Sequence, residues 1–473
     1  MRPSLFSYPR SKSLLPSGGG LFVVCLGTLV VPFDSAVNVA FPAIVHSLGL
    51  SIPAIQWVVI AYTLTYAALM LVFGRIGDML GYRRIFLFGS GWSCLAFLAC
   101  AAAPSLPALL GARALQGVGA AMALSCGPAL ATSLYPESER THVLGVYTMV
   151  FGVGGVLGSI LAGVLVSLWG WQAVFWFRAP VSFAAFALAW ALPADQRRAS
   201  GLSFDIPGAI LLISAVTVLL LGLNQLQHLH APRVLAALVL STACLTGFIL
   251  WERRVEQPLI DISFFRHWDF ALVNVGHVLL NLAGFAVMLL VPFYLDRFSG
   301  LTVPATGAVL TASNLGLMLA SPVAGRLAGF APPRRLALAG SIIMAAGQAA
   351  VCATASHPVL AMLTAGMFVQ GAGLGLFQVA YSDIVTETLP IKDRGVAGSL
   401  VMMTRTVGVV TGATTLMLMF QTVQASSLAG GNTAPQAFIT GFQAAFALAT
   451  VLSVVVVLLA VVSGWGRRPI GKP

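Results

Sequence analysis

With 473 residues, 58% of them hydrophobic and only 8% charged, and a mean hydropathy of +0.94, this chain has too little polar surface to clothe a soluble protein of its length. Apolar runs use nearly all of it, which excludes a large extramembrane domain. A net charge of +11 would point to nucleic acid in a soluble protein, but here the placement of the charges reads as membrane topology.

A bilayer core near 30 Å takes about 20 apolar residues per helix. Runs of that kind stand at about 21–45, 56–75, 84–103, 106–131, 142–167, 171–192, 206–225, 233–252, 269–296, 304–325, 335–355, 358–383, 395–421 and 439–463. The reading is an all-α polytopic membrane protein of fourteen spans. All of the 25 Lys and Arg except Arg113, Arg178, Arg233, Arg297 and Arg405 fall at alternate junctions or in the tails. The positive-inside rule then puts both termini in the cytoplasm, in a cell (inner) membrane. The basic stretch 1–20 is read as a tail, and the run after it as span one rather than a cleaved leader. The six cysteines lie inside apolar runs, so free thiols are expected and neither a disulfide framework nor a metal site.

Span one carries Asp34, Asn38 and Pro42 at i, i+4 and i+8, on one helix face. Asp34 lies about 20 Å along that helix by its rise. An ionised carboxylate at mid-depth costs about 2.5 to 3.5 kcal/mol on the lenient insertion scale, so it must face water, hold a proton or meet a partner. A structural contact between helices is the plainer alternative, and the cost favours function. Trp57 and Tyr62 in span two are candidates to line a cavity. At 74–84 a charged, glycine-spaced hinge follows, with Gly74, Asp78, Gly81, Arg83 and Arg84. Span four brings Arg113, the natural partner of Asp34, and Gln116, which like Asn38 is a candidate to line the substrate cavity. Gly154, Gly158 and Gly163 in span five are spaced for close helix packing. Arg178 is placed near an outer end, where it can snorkel, and for Arg405 structure and function weigh equally. His277 is read as packed or hydrogen-bonded, and Asn281, Asn314 and Gln378 as cavity candidates.

The hinge returns in faded form at 325–335, where Gly329 takes the place of the acid. Gln116-Gly117-Val118-Gly119 returns as Gln370-Gly371-Ala372-Gly373, with Met367 in the place of Arg113. Six spans therefore recur as six. The expected units are a tail at 1–20, a six-helix bundle at 21–192, a linker with two extra spans at 193–268, a second bundle at 269–463 and a tail at 464–473. Parallel halves around a central cavity are transporter architecture.

These residues resemble a known family. The 74–84 hinge is similar to motif A of the major facilitator superfamily and 109–120 to its motif B. Asp34 to Pro42 resembles the span-one motif of the fourteen-span drug:proton antiporters, as do Gln56-Trp57, Gly170-Trp171, Phe204-Asp205, Pro258-Leu259 and Pro292-Phe293-Tyr294-Leu295. The resemblance implies the major facilitator fold and proton-driven efflux, with Arg113 assisting proton movement at Asp34 and Asp78 latching the halves. Motif C departs from the pattern: Gly158-Ser159 stands where exporters have Gly-Pro.

No H-E-x-x-H, G-x-S-x-G or paired intramembrane carboxylates argue for an enzyme. The expected function is a proton-coupled exporter of lipophilic drugs. Its alternatives are a dedicated exporter of one antibiotic or metabolite, or an uptake carrier. No cofactor is expected beyond the proton gradient. One deep carboxylate with one arginine suggests neutral or monocationic amphipathic substrates, handled by a monomer in lipid and without nucleic acid.

Overall fold

The structure, a computed structural model, describes residues 19–136, 140–193, 205–218 apart from 206, 209, 212 and 216, 231–255, 268–328, 330–355, 359–388 and 394–463. It is all-helical. Residues 1–18 of the predicted first tail, the whole predicted tail at 464–473 and much of the predicted span 206–225 lie outside these residues, while Gly19 and Gly20 of the predicted tail already belong to the first helix.

Span one is not a single helix. Helix α1 (Gly19–Leu29) gives way to a short 3-10 turn at Pro32–Asp34, from which α2 (Ser35–Leu48) continues. Pro32 has no N–H to offer and its ring crowds the preceding turn. The chain tightens around it, Val31 N donating to Thr28 O at 3.1 Å and Asp34 N to Val31 O at 3.0 Å. Asp34 thus sits at the N-cap of α2 rather than mid-helix, and the expected Asp34–Asn38–Pro42 face begins at a break.

Helix α3 (Gln56–Leu80) ends at Gly81, whose φ of 102° lets the chain turn directly into α4 (Tyr82–Ala101). A side chain there would be strained, which is the physical content of the hinge glycine. Helices α5 (Leu106–Ser133), α6 (Arg140–Trp169), the short α7 (Ala173–Trp176) and α8 (Arg178–Ala189) complete the first half. Between the halves stands α9 (Ala231–Glu252), held to the preceding stretch by Trp251 Nε1 donating to Asp205 Oδ1 at 2.7 Å and Ser241 Oγ to Ala215 O at 2.9 Å. The second half comprises α10 (Trp268–Phe298), α11 (Val303–Leu327), α12 (Pro333–Thr354), α13 (Leu360–Thr388), α14 (Arg394–Ala429) and α15 (Ala434–Val462).

The internal repeat is visible in the packing: α5 lies against α3 and α4 as α13 lies against α11 and α12. Twelve helices among the described residues are long and apolar enough to cross a membrane, and Ala173–Ala189 adds a shorter apolar stretch broken at Phe177. Phe88, Leu95, Phe183 and Trp190 point outward and are more than half exposed, an apolar exterior that suits lipid.

The halves meet where α6 packs on α11, α2 on α10 and α11, and α3 on α14. The first two seams share one end of the molecule. There Phe41 stacks against Phe293 with centroids 6.3 Å apart, and His46 Nε2 lies 3.6 Å from Asp296 Oδ2. A Cβ on Gly163 would stand 2.8 Å from Pro304 Cα, and one on Gly307 2.6 Å from Ser159 O. Small residues let the two backbones touch.

Candidate functional site: a carboxylate held by two arginines

Arg113, on α5, is fully buried and grips Asp34 with both ends of its fork. Nη1 donates to Oδ1 at 2.6 Å and Nη2 to Oδ2 at 2.8 Å. Its Nε donates to Val58 O at 2.8 Å, and Nη1 also reaches Gln116 Oε1 at 2.8 Å, while Gln116 Nε2 donates to Asp34 Oδ1 at 3.2 Å. Gln116 is one turn from Arg113 on the same helix, which explains the shared target. Tyr62 lies beneath the guanidinium, 4.3 Å from ring centroid to Cζ, and is therefore part of this cluster. A planar, delocalised cation suits both the bidentate pair and the ring face.

Arg178 does not snorkel. It is 0% exposed, and its Nη1 donates to Asp34 Oδ1 at 2.9 Å. The run 171–192 is not one straight helix: the bend at Phe177 starts α8 at Arg178 and turns the side chain inward, over Phe97 and Phe175. Pro180, two residues on, was the available signal, since proline favours the first turn of a helix. With the Nε donating to Val174 O at 2.8 Å, Nη2 is left buried without a hydrogen bond among the described residues. The centre therefore holds two arginines against one carboxylate, and Asp34 Oδ1 alone accepts three donors.

Beside Asp34 the seam between halves is polar. Ser35 Oγ donates to Gly155 O at 2.9 Å and Ser159 Oγ to the same carbonyl at 3.1 Å. Asn314 Nδ2, from the second half, reaches Gly155 O and Ser159 Oγ, both at 3.3 Å. A cavity here is lined by Ser35, Asn38, Ser159, Met288, Ser313 and Asn314 among others. Asn38 and Asn314, both cavity candidates from the sequence, line this cavity together with Ser35 and Ser159, which the sequence did not single out. The proline absent from motif C is replaced by the hydroxyl that meets Asn314. Gly154 and Gly158 seat α6 against Pro32 and Ser35, and Gly163 seats it against Pro304.

In the second half His277 Nδ1 is 2.8 Å from Thr404 Oγ1, and its ring stacks on Tyr381 at 3.9 Å. Asn281 Nδ2 donates to His277 O at 2.8 Å and Gln378 Nε2 to Asn281 Oδ1 at 3.5 Å, so these two candidates neighbour each other, apart from Asp34. Trp57 packs on the apolar core. Of the hinge, Gly74 is not tightly packed, Arg84 is exposed, and Arg83 ties α4 to the end of α8, Nη2 donating to Trp190 O at 2.6 Å and Nε to Ala189 O at 3.2 Å. The Asp78 side chain lies outside the described residues. All six cysteines are free.

A family model described as Major Facilitator Superfamily matches residues 23–303 and 273–472. The chain belongs to the major facilitator superfamily. Among curated relatives, the puromycin resistance protein pur8 of Streptomyces alboniger is 31% identical over 459 residues, covering 94% of this chain and 90% of that protein. The riboflavin transporter RibZ of Clostridioides difficile is 28% identical, covering 80% and 83%. Among solved structures, a bacterial homolog of the human lysosomal transporter Spinster, inward-facing and unoccupied, aligns with a TM-score of 0.68 at 15% identity over 94% of this chain and 96% of that one. That likeness establishes the major facilitator fold. As a member of this superfamily the chain is a multi-pass membrane transporter rather than an enzyme.

Proposed function

We propose that this transporter is a proton-coupled exporter of amphipathic small molecules, of the fourteen-span drug:proton antiporter type, in the cell (inner) membrane with both termini cytoplasmic. The Asp34–Arg113 pair carries the reading. A carboxylate clamped at membrane depth, one residue from a seam between the halves, can exchange its cationic partner for a proton as the halves rearrange. Binding a proton removes the charge that Arg113 and Arg178 grip, so protonation and movement of the clamp are one event. The relatives that confer resistance support outward transport.

In proteoliposomes with an imposed pH gradient, wild type should concentrate a lipophilic dye, and Asp34→Asn should lose this uphill step while retaining counterflow down a substrate gradient. Uphill transport by Asp34→Asn would defeat the assignment. A second reading, a carrier dedicated to one metabolite, is favoured by the riboflavin relative. A panel of antibiotics and dyes in which one compound alone is moved would select it.

A further inference from the structure

We infer that the transported molecule is an amphipathic monoanion whose negative group docks at Arg405, on α14. This rests on the transport reading above. Arg405 falls inside the membrane-crossing stretch Leu400–Ala429, about 7 to 8 Å from its start by the rise per residue. It is partly exposed, and among the described residues it has neither an ion pair nor a hydrogen bond. Its neighbours turn toward protein: Thr404 to His277 and Tyr381, and Thr406 Oγ1 to Tyr66 Oη of the first half at 3.4 Å. The contact of its neighbour Thr406 with Tyr66 places this stretch of α14 beside the seam with α3. A guanidinium keeps its charge at any working pH and needs a counter-charge at membrane depth.

Among the described residues the protein supplies none within ion-pair distance. Asp34 is committed to Arg113 and Arg178, with Oδ1 already taking three donors. Among the described residues the other acids of the two bundles stand near helix ends: Asp78 on α3, Asp269 and Asp296 on α10, and Asp383 and Glu387 on α13. Among the described residues the bundles thus hold Arg113, Arg178 and Arg405 within their spans, and Asp34 is engaged by the first two alone. The neutral or monocationic substrate expected from one arginine and one acid gives way once Arg178 is counted, because a cation entering the seam meets Arg405 and finds Asp34 already occupied. A monoanion meets an unpaired guanidinium. Tyr66, partly exposed and 5.1 Å by ring centroids from Tyr62, offers an aromatic face for the apolar part.

Equilibrium binding of tritiated 2-naphthoate and tritiated 2-naphthylmethylammonium to the purified full-length protein, with no gradient present, tests this. The two probes differ in the sign of charge on one scaffold. Naphthoate should bind tighter by about tenfold, as a charged hydrogen bond would give. Arg405→Gln should erase the preference and Arg405→Lys should keep most of it, each variant checked for a wild-type gel-filtration profile. Equal or tighter binding of the ammonium by wild type, no saturable naphthoate binding, or a folded Arg405→Gln that keeps the preference overturns the inference. Because no proton gradient is involved, these outcomes are separate from the Asp34→Asn result.

Discussion

Arg178 and Arg113 reach one carboxylate from different helices, and burying each ion carries a desolvation penalty of several kcal/mol before pairing. Their contributions should therefore depend on Asp34. In detergent, the destabilisation caused by Arg178→Met and by Asp34→Asn should be non-additive, with a coupling of about 1.5–3 kcal/mol expected of a hydrogen bond to a charged group. Additive effects in a double-mutant unfolding series would show that Arg178 acts elsewhere. Arg113→Lys keeps the charge but cannot make the fork, so uphill transport should fall by about tenfold or more while the protein still folds. Unchanged transport would mean that a point charge suffices. At this scale the Asp34–Arg113 pair was legible because an unpaired charge is costly in lipid, whereas Gln116, read as a cavity candidate, joins that pair because it stands one turn from Arg113. Arg178 was not, because its orientation depends on a bend that no periodicity announces.

Glycine contacts within and between halves should behave differently. A Cβ on Gly371 meets the Ser313 carbonyl within the second half, so Gly371→Ala should lower stability by about 1–3 kcal/mol, the usual range for overpacking. Gly307 instead presses on Ser159 across the seam. Gly307→Val should leave each half folded and wedge the seam, raising the population of the form open at that end by about 5- to 150-fold for the same strain. Spin labels on His46→Cys and Asp296→Cys in a cysteine-free background would read this as a longer distance distribution. An unchanged distribution with lower stability would assign Gly307 to the core. The sequence spacing of Gly154, Gly158 and Gly163 announced close packing. It could not say that Gly154 and Gly158 seat the break in span one while Gly163 seats the other half.

Across the whole molecule, few polar contacts at the rims should matter. His46 and Asp296 have side chains 76% and 41% exposed, and exposed pairs contribute at most about 1 kcal/mol. His46→Ala should therefore leave transport and unfolding nearly unchanged, and a large loss in either would show that the rim contact governs closure. Apolar run length made the helices legible and the 251-residue and 254-residue offsets made the halves legible. Neither showed where a span breaks, because proline permits a break without specifying what packs into it.

The break at Pro32 divides span one between two bodies. Helix α1 packs on α5, α6 and α8 of its own half, whereas α2 also touches α10 and α11 of the other. When the halves rock, α1 stays with one and α2 is pulled by both, so the joint between them flexes, as short 3-10 stretches within helices often do. Asp34 is the last residue of that joint. A lever arm of 14 residues thus ends at the carboxylate held in the arginine clamp, and the torque that opens one face of the molecule arrives at the residue to which the proposed proton exchange is assigned.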